Sequence, residues 1–152
     1  MVVFLQDLTV TTEIPLVFPI TNEMNDPIAD MIIRMKNAGE AGKQFVVVPY
    51  SKMKFAIAEL LEEEGFIKAI ARKGKKDGKL IEIELAYEND SPRIKGVERV
   101  SKSSRRVYLK SKNIKPVKNY FGLLILTTPR GVMTNKEARH EKVGGEALFK
   151  IW

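Results

Sequence analysis

The chain has 152 residues, of which 44% are hydrophobic, so it can bury a core as one large domain or two small ones. It contains no cysteine and a single histidine, which excludes disulfides, Cys/His metal sites and most His-dependent nucleophilic mechanisms. The net charge of +7 indicates a polyanionic partner, although it would also suit an anionic membrane surface.

The positive charge is concentrated in the second half of the sequence. Residues 1–90 hold 11 Lys/Arg and 15 Asp/Glu, a net charge of −4, whereas residues 91–152 hold 15 and 4, a net charge of +11. The lysines of the second half could merely solubilise a surface, but that role does not require so large an imbalance. We therefore expect residues 91–152 to contact a polyanion.

Residues 1–24 contain no Lys or Arg, and acidic residues and prolines interrupt their apolar runs. This composition fits neither a signal peptide nor a membrane span. Met24 stands two residues before a complete helix start at Asp26-Pro27, so residues 1–23 are either an upstream misread start or a genuine added strand or tail. We treat residues 1–24 as an N-terminal extension of unknown role.

A first amphipathic helix is predicted from Asp26, a good N-cap, through Pro27, which suits the first helical position, to Gly39. Its outward face includes Arg34 and Asn37. Apolar residues recur at i, i+3, i+4 and i+7, which is the pattern of a helix packed on a core. This stripe consists of Ile28, Met31, Ile32 and Met35.

A second helix is predicted between a Ser51 cap and Gly65. Its acidic end, residues 62–64, might be taken for a metal site, but successive helical residues point about 100° apart, which favours a solvated helix end. Lys54 lies in its first turn. The predicted apolar stripe consists of Met53, Ile57, Leu60 and Leu61.

Three strands accompany these helices in the prediction. Residues 45–48 form one strand, which Pro49 closes, and residues 66–71 and 80–87 form a hairpin with one buried and one solvated face. The Lys-rich hairpin tip, residues 72–79, can touch phosphate but is more typical of a solvated loop. Residues 88–92 are rich in turn formers, so we place the boundary between two modules there.

The second half is predicted to be rich in strands. Residues 94–100 and 106–109 form two strands around residues 101–106, SKSSRR, whose hydroxyl and guanidinium groups match phosphate and sugar oxygens. Tyr108 follows this loop and can either stack on a base or pack in the core, and its position in a strand favours the core.

Residues 122–140 combine an apolar run with a cationic turn and a helix start. The run over 123–126 is typical of a strand buried on both faces, and residues 127–131, TTPRG, form a turn with two hydroxyls and one arginine. Thr134 and Glu137 form a capping box for a helix that begins near Asn135 and ends at the Gly144-Gly145 pair. The predicted unit is therefore strand, hydroxyl-rich loop and helix.

Three separated motifs resemble one family, the eighth protein of the bacterial small ribosomal subunit. Residues 26–38, DPIADMIIRMKNA, resemble its first helix, and residues 144–152, GGEALFKIW, resemble its closing strand. The third motif is similar to the family signature and consists of Gly122, Ile125-Leu126, Thr127-Thr128, Gly131-Val132-Met133 and Ala138-Arg139.

This resemblance implies a primary binder of the central domain of 16S ribosomal RNA that helps to assemble the small-subunit platform. The protein would lie in the cytoplasm, in the ribosome, beside neighbouring small-subunit ribosomal proteins, without catalysis, cofactor, metal, membrane or small-molecule substrate. Two departures affect contact details: Ser103 stands where many members have proline, and Thr-Thr-Pro-Arg replaces the more usual Ser-Thr-Ser-Lys. The candidate RNA-binding residues are Thr127, Thr128, Arg130, Gly131, Val132, Ser101, Lys102, Ser104, Arg105, Arg106, Tyr108, Arg34, Asn37 and Lys54.

Other functional classes lack the residues they need or remain as alternatives. A nuclease or phosphotransfer enzyme needs a carboxylate cluster, a phosphate-binding glycine loop or an activated nucleophile, and the sequence shows none of these. The alternative function is that of a non-ribosomal RNA-binding or scaffold protein. We expect an α+β fold of two small modules: a helix-strand-helix-hairpin module over residues 25–90, and a basic β-rich module with one short helix over residues 91–152.

Overall fold

The computed structural model of the protein describes residues 26–74, 79–118 and 121–152. The expectations for residues 1–24 and for residues 75–78 of the Lys-rich hairpin tip lie outside these ranges. Helices and strands both occur throughout the described residues, so the predicted α+β class is confirmed. The helices are α1 (Pro27–Glu40), α2 (Lys52–Glu63) and α3 (Asn135–Glu141), and Ser111–Asn113 form a 3-10 helix.

The described strands form three antiparallel sheets. One has the order β1-β3-β2, a second is the short hairpin β4-β5, and the largest has the order β9-β8-β10-β6, with β7 also paired to β10. The strands are β1 (Phe45–Pro49), β2 (Ile67–Lys73), β3 (Leu80–Leu85), β4 (Tyr87–Glu88), β5 (Ser91–Pro92), β6 (Val97–Arg99), β7 (Tyr108–Leu109), β8 (Leu123–Thr128), β9 (Gly131–Thr134) and β10 (Gly145–Ile151).

The predicted helix caps are confirmed. The Asp26 carboxylate accepts a hydrogen bond from the Ala29 N–H at 3.1 Å, and the Ser51 hydroxyl accepts one from the Lys54 N–H at 3.0 Å. Each cap satisfies a backbone donor that the first helical turn leaves without a partner. Gly65 follows α2 with a φ of +84°, a left-handed conformation that glycine adopts without steric cost.

The buried stripe of α2 differs from the prediction at one position. Met53 is 38% exposed, whereas Lys54 is 6% exposed. The buried positions follow the spacing i, i+3, i+4 and i+7 from Lys54, which turns Met53 to the side. The buried members of this spacing are Lys54, Ile57, Ala58 and Leu61.

Two strand predictions were wrong in extent. The strand expected over 94–100 is only Val97–Arg99, and the one expected over 106–109 is only Tyr108–Leu109. Residues 88–92 are not a structureless break, because Asn89 and Asp90 adopt φ values of 52° and 65° and join β4 to β5 as a tight turn. The turn signal was therefore correct, but it closes a hairpin.

The largest sheet separates two hydrophobic clusters, and β8 contributes to both. Leu123 and Ile125 face the main core, while Leu124 and Leu126 face a smaller cluster under α3. This alternation confirms that β8 is buried on both faces. The main core also includes residues of α1, α2 and the β1-β3-β2 sheet, so it extends across the predicted boundary at residues 88–92. The two modules stay a prediction, and each depends on the other for part of its buried surface.

Candidate nucleic-acid interface

The hydroxyl-rich loop is the turn of the β8–β9 hairpin. Thr128 pairs with Gly131, so only Pro129 and Arg130 connect the strands. The Thr128 hydroxyl donates a hydrogen bond to the Gly131 carbonyl at 2.9 Å and accepts one from the Arg130 N–H at 3.1 Å. A hydroxyl oxygen can accept two hydrogen bonds, so Thr128 keeps one acceptor position for a ligand. Gly131 has a φ of +114°, a conformation that favours glycine.

The unit after this turn contains a strand that the sequence analysis missed. β9 lies between the turn and α3, so the order is strand, tight turn, strand and helix. The capping box is confirmed, with Thr134 and Glu137 exchanging hydrogen bonds at 3.0 and 3.1 Å. The predicted helix end was wrong. α3 stops at Glu141, where Lys142 takes the left-handed conformation with a φ of 58°.

The Gly144-Gly145 pair allows close packing of the chain. A Cβ atom at Gly144 would overlap the Leu109 carbonyl oxygen, and one at Gly145 would overlap the Thr127 carbonyl oxygen. Only glycine lets three backbone segments approach this closely. The pair thereby brings the end of β7 and the end of β8 together across β10.

These strand ends form an open groove of about 550 Å³. In register, Glu146 on β10 lies between Tyr108 on β7 and Thr127 on β8. Directly paired residues project from the same face of a sheet, so the three side chains form a row across it. The groove is lined by Tyr108, Leu109, Lys110, Ser111, Thr127, Thr128, Pro129, Gly144, Gly145 and Glu146.

The expectation that Tyr108 packs in the core was wrong. Its side chain is 70% exposed, and the short strand β7 pairs only with β10 in the described residues. An exposed aromatic ring beside a groove offers a flat apolar surface to a planar ligand.

The SKSSRR segment forms a tight loop leading into β7. Lys102 and Arg105 exchange backbone hydrogen bonds at 2.9 and 3.0 Å, so the exposed Lys102, Ser104 and Arg105 lie at its tip. Arg106 pairs with Glu146 at 3.1 Å, which links the loop to the floor of the groove and offsets the Glu146 charge. The basic tip and the groove are therefore adjacent.

Ser101 has an internal role. Its hydroxyl is fully buried, accepts a hydrogen bond from the Val107 N–H at 2.8 Å and donates one to the Val107 carbonyl at 3.3 Å. These bonds hold the two ends of the SKSSRR loop together. Ser101 thus shapes the loop from inside, and its hydroxyl does not reach the surface.

Arg130 extends outward from the hairpin turn. Its guanidinium pairs with the Glu141 carboxylate at 2.6 Å, and both side chains are well exposed. Exposed pairs of this kind contribute about 0 to 1 kcal/mol, so a phosphate can replace Glu141 at little cost. Val132, in contrast, is half-buried and packs against the main core.

The candidates from the first half lie on other elements. Arg34 donates to the Val47 carbonyl at 3.1 Å and pairs with Asp30, while Asn37 is exposed, and both line a separate groove beside β1. Lys54 is buried, and desolvation lowers the pKa of its ammonium below the ordinary 10.5. We therefore leave Lys54 and Ser101 out of the interface.

Seven residues that line the groove are absent from the predicted RNA-binding set: Leu109, Lys110, Ser111, Pro129, Gly144, Gly145 and Glu146. The glycine pair was a visible signal but was interpreted only as a helix end. Within the described ranges, no group of three or more His, Cys, Asp or Glu residues could hold a metal ion. None of the helices that the structure describes is long and apolar enough to cross a membrane.

Comparison with known proteins identifies consistent relatives. The profile of the family described as ribosomal protein S8 matches residues 26–152. The chain is 42% identical over 129 residues to small ribosomal subunit protein uS8 of Mycoplasmopsis agalactiae, and 43% identical over 129 residues to that of Vesicomyosocius okutanii. It is 44% identical over 132 residues to the uS8 of Leptospira biflexa. Each alignment covers 85% of this chain and 98% of the relative.

Proposed function

The chain belongs to the ribosomal protein S8 family, and from this membership we propose that it binds the central domain of 16S ribosomal RNA directly and helps to assemble the small-subunit platform. As a member of this family it is a structural protein of the small ribosomal subunit and not an enzyme. Its place is in the cytoplasm, within the ribosome, in association with ribosomal RNA and other ribosomal proteins.

The observation that supports direct RNA binding is the groove between Tyr108 and the Thr127-Thr128 strand end. A-form RNA helices hide their base edges in a deep, narrow groove, so proteins recognise unpaired or splayed bases. A base stacked on Tyr108 would place its edge near the Thr127 and Thr128 hydroxyls. The flanking phosphates would then lie near Lys110, which lines the groove, and near Arg130 in the adjoining hairpin turn.

The basic loop supplies the charge for a longer contact. Lys102, Ser104 and Arg105 are exposed beside the groove and can accompany the RNA backbone away from it. Arg106 would divide its interaction between Glu146 and a phosphate. Arg34 and Asn37, on α1, would form a second contact with RNA or with a neighbouring ribosomal protein.

Two substitutions in the hairpin turn test this proposal. We expect Thr128→Val and Arg130→Ala each to weaken binding of a 16S central-domain fragment by about 1 to 3 kcal/mol, because each removes one polar partner from the RNA. Equilibrium binding at fixed salt measures the effect. Glu141→Ala is the matched control, since it removes the ion-pair partner of Arg130 and leaves the arginine in place.

The control is expected to bind at least as tightly as the parent, because Glu141 no longer competes with phosphate. Circular dichroism must show that every variant is folded. If both turn variants are folded and bind the fragment like the parent, the groove is not the RNA-binding site.

A further inference from the structure

A second exposed aromatic side chain lies in a basic environment. Phe121 is 79% exposed, more than any other large hydrophobic residue that the structure describes. The Phe121 N–H donates to the Lys118 carbonyl at 3.0 Å. Lys118 itself adopts a left-handed φ of 48°. An apolar ring this exposed requires an explanation other than packing.

Trp152 contacts two lysine residues near Phe121, Lys118 through its side chain and Lys95 through its backbone. The Trp152 ring packs so closely on Gly96 that a Cβ atom there would lie 2.6 Å from it. Lys118 Nζ lies 4.5 Å from the centroid of the Trp152 ring, and the Lys95 N–H donates to the Trp152 carbonyl at 2.6 Å. We call Lys95, Lys118, Phe121 and Trp152 the distal patch.

The distal patch is separate from the groove. It lies where β8 begins and β10 ends, whereas the groove lies at the opposite ends of the same strands. The six residues of β8 rise by about 3.3 Å each, so the two sites are about 17 Å apart. One unpaired nucleotide cannot reach both sites, but a folded RNA of several helical turns can.

The charged groups beside the ring distinguish the distal patch from the surroundings of Phe45, another exposed aromatic residue. Phe45 on β1 is 45% exposed, but its paired neighbour is the acidic Glu84. Neither Lys95 nor Lys118 forms an ion pair with a carboxylate of the described residues, and both ammonium groups are exposed. The distal patch thus combines an exposed ring with two lysines that pair with no carboxylate of the described residues, whereas the strand neighbour of Phe45 is a carboxylate that itself pairs with Lys68.

We propose that the distal patch is a second RNA contact, in which an unpaired base stacks on Phe121 and its flanking phosphates pair with Lys118 and Lys95. Aromatic rings between cationic side chains bind single-stranded RNA without sequence preference, because every base has a stacking face. The inference rests on the proposed function only in taking RNA as the polyanion. It adds a site that clamps the RNA at the opposite end of the sheet.

The test uses the full chain and a single-stranded oligoadenylate of about 12 nucleotides as the probe. Trp152 is the only tryptophan of the sequence, so its fluorescence reports on the distal patch directly. We expect Phe121→Ala to weaken oligoadenylate binding about fivefold to 100-fold, and Phe121→Tyr to change it by less than about twofold. Leu80→Ala is the control for loss of a partly exposed apolar side chain outside both proposed sites, and it should bind like the parent.

Each comparison is repeated in the Tyr108→Ala protein, which removes stacking at the groove. A loss from Phe121→Ala that persists there supports an independent second site, and a loss that requires Tyr108 overturns it. Unchanged oligoadenylate binding, or an equal loss for inorganic polyphosphate, which has no bases, also overturns the proposal. If the parent fails to select the 16S central-domain fragment yet Phe121→Ala still weakens oligoadenylate binding, the proposed function falls and the distal patch stands.

Discussion

Phe149→Ala is expected to lower the free energy of unfolding by about 3 to 5 kcal/mol, the usual cost of deleting a buried phenylalanine ring. Phe149 is fully buried on β10, paired with Ile125 on one side and Arg99 on the other. It belongs to the core that joins α1 and α2 to the largest sheet. A domain of this size is stable by about 5 to 15 kcal/mol, so the loss would be a large part of the total.

Urea unfolding of the parent and of Phe149→Ala measures this loss. Phe45→Ala is the control for the same chemical change at a half-exposed position, and we expect it to cost well under half as much. A single cooperative transition in the parent would agree with one core shared by both modules. A loss below about 1 kcal/mol for Phe149→Ala would contradict the shared core.

Arg99→Met is expected to lower the free energy of unfolding by about 2 to 4 kcal/mol, because it leaves the Asp26 carboxylate without its partner. Arg99 pairs with both oxygens of Asp26, at 2.7 and 3.1 Å, and also donates to the Leu148 carbonyl. The two charged side chains are only 13% and 20% exposed. The pair therefore ties the N-cap residue of α1 to β6 and β10.

Asp26→Asn separates the two roles of this carboxylate. Asparagine keeps the helix cap but removes the charge, so its effect measures the ion pair, and the further loss in Asp26→Ala measures the cap, about 1 kcal/mol. Lys36→Ala is the control for an exposed pair, with Glu40 at 2.7 Å, and should cost less than about 1 kcal/mol. Equal losses for Lys36→Ala and Arg99→Met would contradict the role of burial.

The ion pair between Asp26 and Arg99 predicts that the free energy of unfolding falls at acidic pH. Desolvation raises the pKa of Asp26, but hydrogen bonds from Arg99 and from the Ala29 N–H outweigh it, so the net pKa lies below the ordinary 3.8. The unfolded chain then binds a proton more readily than the folded one. The stabilisation is complete above the unfolded pKa and is lost as the pH falls through the lower folded value. The Arg99→Met protein should lose less stability on acidification than the parent.

Local signals in the sequence predicted the helix starts well. Asp26, Ser51 and Thr134 each cap a helix through bonds to residues three positions away, so a short window contains all the interacting groups. The apolar run of β8 likewise fixes a strand without reference to the rest of the chain. Such features depend on spacing along the sequence alone.

The features that were missed depend on pairing between distant segments. A β-bulge in β10 at Leu148 shifts the register, so that Leu148 and Phe149 both face the main core while Ala147 faces the smaller cluster. The exposure of Tyr108 follows from its place on β7, which pairs only with β10 among the described strands. Periodicity cannot reveal either feature, because each is set by a partner strand about 20 or more residues away.

The groove shows the same limit on the functional side. The sequence indicated Thr127, Thr128 and Arg130 by their chemistry, but it did not indicate that Glu146 and Lys110 would join them. The sequence also did not indicate that the polar side chains of Ser101 and Lys54 are buried. A polar residue type predicts a contact only where the fold leaves its side chain accessible.

The affinity of Tyr108 variants for the 16S central-domain fragment tests the central claim most directly, because the exposed ring contributes little to stability. At fixed salt, Tyr108→Ala is expected to weaken binding by about 1 to 3 kcal/mol, and Tyr108→Phe, which keeps the stacking surface, by less than about 0.5 kcal/mol. Both variants should melt like the parent. A folded Tyr108→Ala protein that binds the fragment as tightly as the parent would contradict the assignment of the groove to RNA.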